Sequence, residues 1–329
     1  MPRPAADLRE LVDAVEIHSG GTFSIAAERF DAAMAAGASD DLASRLAGAL
    51  YSRKYCRPTL TSLTPAGSDP RAARVLVEQL SHDNSGLGTW EAGWTVDAID
   101  PDGTLVVRRQ RDDLLVWARQ EEFRSLTGVV HIGGIGRVRV AKEAREMLPG
   151  YYVAYGNADR GRDEGPNAVD IVRFYWHLTA EGAREWMREL TARFNVAGVP
   201  FQAKVLNDPA AYGRADAGVL YVERAHVGHA MKLLPELHRV TRAGLRDTTP
   251  MLTKRLAPGL AAADDPGDGR SFGQHRCQLV AEGLVRACGG AKTRRETRLK
   301  AVLDRFADEG LSGATPWLRA GAKDVYQWP

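Results

Sequence analysis

Apolar residues recur at Leu8, Leu11, Val12 and Val15, the i, i+3, i+4, i+7 spacing of one buried helical stripe. Phe23 to Ala36 reads as a second helix. Asp41 to Tyr55, with Leu42, Leu46 and Leu50 in phase, reads as a third that Pro58 stops. Arg71 to Ser81 carries one more helical pattern and ends before the turn-forming cluster Asp83–Gly88. The period then changes. Thr89 to Ile99 and Thr104 to Arg111 flank Asp100-Pro-Asp-Gly103, a hairpin signal, and Leu114 to Ala118 and Val129 to Ile132 are short strand candidates. Gly133-Gly-Ile-Gly136 lacks both the lysine-serine ending of a phosphate loop and the dinucleotide-binding spacing, so a tight turn is the better reading.

Gly156 to Asn167 is polar and glycine-rich, the best internal linker or loop. Val169 to Leu178 reads as a strand, and Thr179 is placed to cap a helix whose Ala183, Trp186, Met187, Leu190 and Phe194 share one face. Phe201 to Leu206 and Gly218 to Val222 are strands; His226 to Arg242, Arg276 to Ala287 and Thr293 to Asp308 are helical. The expected class is α+β. It comprises a helical region 1–88, a β-hairpin-rich region 89–155, and a core over 156–329 of mostly antiparallel sheet with packed helices.

Bulk composition narrows the partners. With 44 Lys+Arg against 42 Asp+Glu, the net charge of +2 calls for neither nucleic acid nor an anionic membrane, so useful positive charge has to be local. The odd, scattered cysteines Cys56, Cys277 and Cys288 argue for reduced thiols, not a disulfide framework or a zinc site. Met1 to Glu16 has no apolar signal core and no apolar run is long enough to span a bilayer, which points to the cytoplasm.

Local positive charge gathers at the strands. In Arg173-Phe-Tyr-Trp-His-Leu178, Phe174, Trp176 and Leu178 share one face, and Arg173, Tyr175 and His177 share the other. Lys204 is the single cation of its strand, and Arg214 and Asp216 share a face entering the next. Ser271 with Gln274 fits a capping box, which puts His275 and Arg276 in a first helical turn whose free N–H groups suit an anion. Each feature alone is ordinary solvated surface. Asp264-Asp265 reads as a loop acid pair, and Lys292 to Lys300 as a solvated helix face.

Five segments in order carry a resemblance: Val172-Arg-Phe-Tyr-Trp-His-Leu178, Pro200-Phe-Gln-Ala-Lys204, Tyr212 to Val222, Thr253-Lys-Arg-Leu-Ala-Pro-Gly259 and Ser271-Phe-Gly-Gln-His-Arg276. Together, over about Val169 to Ala287, they resemble the Hop A-type effector domain, found in type III secreted effectors and as the lyase subunit of class V lanthipeptide and thioamitide dehydratases. That family is distantly similar to the phosphothreonine lyases, which eliminate phosphate with a lysine base and no metal or other cofactor. The resemblance implies a phosphothreonine-lyase-like core. In it Lys204 is the base, and Arg173, Arg214, Arg276 and Ser271 hold phosphate. Lys254 is a further candidate; Asp216 is unsuited to phosphate contact and reads as orienting Arg214 or Lys204, or as simply pairing on the surface. Where the lyases carry a histidine acid this chain has Tyr175, so the general acid stays open among Tyr175, His177 and His275.

The chemistry suits those residue types. A neutral amine can take a Cα proton if burial or neighbouring cations depress its pKa, and guanidinium forks match phosphate oxygens. The implied function is β-elimination of phosphate from a phosphorylated precursor peptide, giving dehydroalanine or dehydrobutyrine. No glycine-rich loop with strand lysine, His-Arg-Asp or Asp-Phe-Gly motif is present, so the resemblance implies a separate aminoglycoside-phosphotransferase-like kinase. Region 89–155 then becomes a candidate for peptide or kinase binding. The rival class is a non-catalytic, effector-like binding module that uses the same anion pocket as an anchor.

Overall fold

The structure, a computed structural model, describes residues 3–30, 41–56, 69–110, 113–145, 148–158, 170–288 and 294–329. The expected stripe at the start folds as α1 (Ala6–Ala14), burying Leu8, Leu11 and Val12. α2 (Leu42–Leu50) has its first turn held by the Asp41 carboxylate, which accepts from the Ser44 N–H, and runs on through a π-type turn, Tyr51–Tyr55. α3 (Pro70–Asp83) starts with Asp69 as cap and proline in the first turn, the position where a missing N–H costs nothing.

The helix expected over Phe23 to Ala36 is not what forms. β1 (Val15–Ile17), β2 (Phe23–Ile25) and β3 (Glu28–Phe30) make a small antiparallel sheet, and residues 31–36 lie outside the described ones. Phe23 and Phe30 are register partners whose rings stack at 5.1 Å, and Ala26 and Ala27 turn the chain at positive φ. The same apolar residues thus pack across strands, a pairing that short periodic runs cannot distinguish from a helical face.

The hairpin signal holds. β4 (Thr89–Ile99) and β5 (Leu105–Arg109) pair, with β6 (Leu115–Ala118) beside β5 and β7 (Phe123–Ser125) and β8 (Ile135–Val140) on the other side, in the order β6-β5-β4-β8-β7. Trp94, Val96, Leu105, Val107, Ala118, Phe123 and Val138 form its own core. Val129 to Ile132 is loop and not strand. Gly133-Gly134 is the tight turn, its N–H groups donating to Val96 O (2.7 Å) and His131 O (2.9 Å), so neither is free for an anion.

The third sheet positions the site. β9 (Glu143–Ala144), β10 (Tyr151–Tyr155), β11 (Ile171–Trp176), β12 (Gln202–Leu206), β13 (Gly218–Glu223), β14 (Lys254–Ala257) and β15 (Leu260–Asp264) lie antiparallel in the order β14-β15-β11-β13-β12-β10-β9. The fold is α+β, as expected. The sheet draws β9 and β10 from upstream of residue 156, where the sequence pattern places the start of the core. β14 and β15 were not expected: Leu260-Ala-Ala-Ala-Asp264 has no alternation, because both of its faces are covered.

Helices cover the sheet on both sides. Against one face pack α4 (Ala180–Val196), with Trp186, Met187, Leu190 and Phe194, and α5 (Val227–Thr241), with Leu234 and Leu237; Phe174 and Trp176 of β11 meet them. Against the other pack α1, α2, α6 (Phe272–Arg286) and α7 (Arg295–Asp308), which meet Tyr175 and Val219. Full burial of such side chains is worth about 1.5–3 kcal/mol each, so the sheet is specified from two directions at once. Thr179 caps α4 as expected, accepting from the Gly182 N–H at 3.0 Å. None of the described helices is long and apolar enough to cross a membrane.

α6 can approach α2 so closely because Gly273 has no side chain; a Cβ there would meet Tyr55 ring carbons at 2.4–2.6 Å. Gly273→Ala is expected to lower stability by about 1–3 kcal/mol through overpacking, read as a fall in the urea midpoint with unchanged slope. An unchanged midpoint would show that Tyr55 can move aside freely.

Candidate functional site

Cross-strand register fixes what shares a face. Tyr175 pairs with Val219, Val219 with Lys204, and Lys204 with Val153; one row along, Arg173 pairs with Tyr221 and Tyr221 with Gln202. Tyr175 and Lys204 therefore stand on the same face about 10 Å apart at their Cα atoms, two strand spacings. This is the face that α2 and α6 cover.

Lys204 is the distinctive residue. Its Nζ lies 4.3 Å from the Tyr151 ring centroid and 5.8 Å from that of Tyr221. Among the described residues it makes no hydrogen bond or ion pair. Burial holds its ammonium below the ordinary lysine value; Tyr151 and Asp216 oppose that, and Arg173 and Arg214 reinforce it. Aromatic faces stabilise a cation by about 0.5–2 kcal/mol, but they accept no hydrogen bond, so the amine keeps its nitrogen lone pair available once neutral.

The two arginines are pinned. Arg173 lies 5.5 Å from the Tyr221 ring centroid, donates from Nε to Asp265 Oδ2 at 2.7 Å, and reaches the Arg270 carbonyl at 3.3 Å. Arg214 grips Asp216 with two donors, both at 2.8 Å, and donates from Nη2 to Tyr51 Oη at 3.1 Å. The Ala215 N–H donates to Cys56 O at 2.6 Å, which ties the Arg214 loop to the end of α2. Asp216 thus holds the Arg214 guanidinium in place.

Tyr175 is 4% exposed and meets Tyr55 edge-on at 6.5 Å and Phe272 at 6.4 Å. Burial pushes its phenol up to about 12, against the pull of the Arg173 cation and a hydrogen bond with Tyr55. It stays protonated at neutral pH, accepting from the Tyr55 hydroxyl and keeping its own O–H to donate.

Other expected residues are placed elsewhere or already occupied. Arg276 is 1% exposed, and its guanidinium donates to Pro316 O (2.8 Å), Leu318 O (2.9 Å) and His275 Nδ1 (2.7 Å). It ties α6 to the C-terminal segment and has no fork to offer a phosphate. His275, accepting from Arg276, must be neutral with its proton on Nε2; burial and Arg276 bring it down to about 4, so it is no acid for this face. His177 does follow Arg173 and Tyr175 by alternation, but it is 4% exposed, and its Nδ1 lies 3.0 Å from Thr248 O and 2.8 Å from Thr248 Oγ1. Burial also holds its pKa below the ordinary value. Lys254 pairs in register with Ala262, itself the partner of Phe174, and so stands on the opposite face, where Asp324 holds it at 2.8 Å. Ser271 forms the expected capping box with Gln274, both bonds 3.2 Å, next to the Arg270 carbonyl that Arg173 reaches.

Asp264-Asp265 is not a loop pair. Asp264 ends β15 fully buried, accepting from Tyr326 Oη and the Arg319 N–H and pairing with Arg224, while Asp265 holds Arg173. From Arg295 on, the basic stretch is the exposed face of α7, with Arg295 on Asp13 and Lys300 on Asp304; Lys292 and Thr293 lie outside the described residues.

Sequence reasoning picked out Tyr175 but missed Tyr51, Tyr55, Tyr151 and Tyr221. Tyr221 could have been found, since it stands two residues from Val219 on a strand already assigned and therefore on the same face. Tyr151 sits on a strand that was not identified, and Tyr51 and Tyr55 come from a helix more than a hundred residues upstream. Among the described residues no three His, Cys, Asp or Glu side chains gather as metal ligands. A separate groove of about 690 Å³ runs between α3 and α4, where Arg184 is held by Asp83.

The fold and this face define an α+β protein whose antiparallel sheet carries cations flanked by tyrosines on one helix-covered face. The HopA1 effector protein family matches residues 143–318, more than half of the chain, and the chain belongs to that family. Two solved effector structures are similar to it. The effector protein from Pseudomonas syringae pv. tomato strain DC3000 is 18% identical over 83% of this chain and 90% of that one, with a TM-score of 0.48. The effector from Pseudomonas syringae pv. syringae strain 61 is 17% identical over 83% and 88%, with a TM-score of 0.45. No curated protein matches the chain.

The His275 arrangement carries a pH signature. A histidine kept neutral in the folded state, at about 4 against 6.5 unfolded, adds stability that is complete above about pH 6.5 and lost as the pH falls toward 4. His275→Gln, which keeps an acceptor for Arg276, is expected to lose less of its urea midpoint over that range than the wild type. Parallel losses would refute the assignment.

Proposed function

We propose that the chain is a carbon–oxygen lyase that eliminates phosphate from phosphoserine or phosphothreonine in a precursor peptide. The observation that carries this reading is Lys204: a half-buried amine between two aromatic rings, with a lowered pKa, no carboxylate partner among the described residues, and two arginines nearby. Such an amine is neutral more often than an ordinary lysine and can take the weakly acidic Cα proton. The electron pair of that C–H bond becomes the Cα=Cβ double bond, and the Cβ–O bond breaks with its electrons leaving on phosphate. Arg173 and Arg214, pre-oriented by Asp265 and Asp216, meet the growing charge on the leaving oxygens. Tyr175, protonated on the same face, is the group that can donate to them. The products are inorganic phosphate and dehydroalanine or dehydrobutyrine, a redox-neutral change of the kind used to build lanthipeptides and thioamitides. A separate kinase would have to supply the phosphorylated residue, since the chain carries no kinase motif.

One observation favours a second reading. Both arginines are already satisfied by carboxylates, a geometry equally suited to a fixed anchor in a non-catalytic, effector-like binding module.

The two readings separate at Lys204. Incubation with a phosphorylated peptide is expected to release phosphoric acid by mass, and Lys204→Ala to slow this about 10²-fold or more. Lys204→Arg should not rescue it, since a guanidinium stays charged. Phosphopeptide binding without loss of phosphate would establish the anchor instead. Because Lys204 must be neutral to act, the rate should rise with pH on a limb centred below the ordinary lysine value of 10.5. A limb centred at or above that value would count against Lys204 as base.

A further inference from the structure

The small sheet of β4 to β8 has a second face that its own core does not use. Register places Arg139 opposite Trp90, Arg137 opposite Ala92 and Arg124 opposite Arg137, so these residues point away from the core of Trp94, Phe123 and Val138. Arg124 stacks over the Trp90 ring at 4.0 Å. Arg124, Arg137 and Arg139 are all exposed, and none has a carboxylate partner among the described residues. Like charges directly opposite one another on a sheet are destabilising, and this face places Arg124 against Arg137 with Arg139 next along the strand. The rest of the same face continues through Ile135, 45% exposed and opposite Thr95, to Leu115, 40% exposed and opposite Arg108, and to Trp117, 67% exposed and opposite Val106.

We propose that this outer face docks an extended peptide segment whose acidic residues meet Arg124, Arg137 and Arg139 and whose large apolar residues meet Ile135, Leu115 and Trp117. Charge complementarity selects the acidic half, since an anionic partner removes the repulsion that the free face carries. The apolar half distinguishes a peptide from a nucleic acid, whose repeating phosphates would want cations along the whole face. Five strands span about 20 Å, the length of roughly six extended residues. The face is also coupled to the Lys204 region by chain connectivity. β8, which carries Arg137 and Arg139, runs through residues 141 and 142 into β9, whose Ala144 lies in register with Val153 and hence with Lys204. That path places Arg139 within about 27 Å of Lys204 at the Cα atoms, a distance that about eight extended residues cover. The identity of the peptide as the one delivered to Lys204 rests on the proposed lyase reading; the docking itself does not.

The test therefore uses unphosphorylated probes and no turnover. A fluorescein-labelled short peptide with a Glu-rich half and a Leu-rich half is titrated with the full chain and followed by anisotropy. Arg137→Glu with Arg139→Glu is expected to weaken binding about tenfold or more. Arg137→Lys with Arg139→Lys should keep most of it, and Lys204→Ala should bind as the wild type. Added salt should weaken binding. The proposal is overturned if the peptide does not bind, if a Lys-rich counterpart binds as well, or if both double variants behave alike. Equal or tighter binding of an oligouridylate, or of phosphatidylserine vesicles, would also overturn it and assign the face to a nucleic acid or a membrane surface. Loss of phosphate elimination with intact probe binding would leave this docking in place while removing the lyase reading, and the reverse result would do the opposite.

Discussion

Placing cations on a sheet face that helices then cover is costly, and the way that cost is met organises this protein. An isolated buried charge costs several kcal/mol unless a partner and further hydrogen bonds compensate it. Here Asp265 meets Arg173, Asp216 meets Arg214, and backbone carbonyls at Pro316 and Leu318 meet Arg276. Lys204 is treated differently. It receives aromatic faces in place of carboxylates, and the unmet part of the cost appears as a pKa held below its ordinary value. The group left undercompensated is the one the proposed elimination would use in its neutral form.

The helices over that face therefore do more than fill a core. α2 ends in a π-type turn whose Tyr51 bonds Arg214 and whose Tyr55 meets Tyr175, and α6 brings Phe272 against both Tyr55 and Tyr175. Gly273 permits the approach by presenting only backbone to the Tyr55 ring. The N-terminal helical residues thus pack over the Lys204-bearing face, and the family match beginning at residue 143 covers the sheet that presents it. Opposite them, α4 and α5 hold Phe174 and Trp176, so that β11 is gripped from both sides and its Arg173-Tyr175 face cannot slip in register.

Much of this was legible from residue order. Alternation along Arg173 to Leu178 separated the polar from the apolar face correctly, because a fully extended strand leaves side chains no other choice. The Thr179 and Ser271 caps were readable because capping is a contact within four residues. Misreadings cluster where local pattern is silent about partners. Phe23 and Phe30 pair across strands where a helix was expected, and Leu260 to Asp264 hides its strand character because small buried residues show no period. Arg276 and His275 occupy a first helical turn as foreseen, but the Arg276 guanidinium is taken up by the C-terminal segment and His275.

The amino-acid sequence by itself determined the α+β class and the central strands, since these follow from periodicity within a few residues, whereas the choice of Lys204 came from the family resemblance. Only the tertiary structure decided which cations remain available. Whether Arg173, Arg214, Arg276 or Lys254 is occupied by a partner depends on residues up to 163 positions away, and Tyr51, Tyr151 and Tyr221 converge on Lys204 and its flanking arginines only after helix and sheet have packed. Burial and partnership belong to the folded chain and not to any stretch of it, and that is why Lys204 could be singled out from sequence while its environment could not.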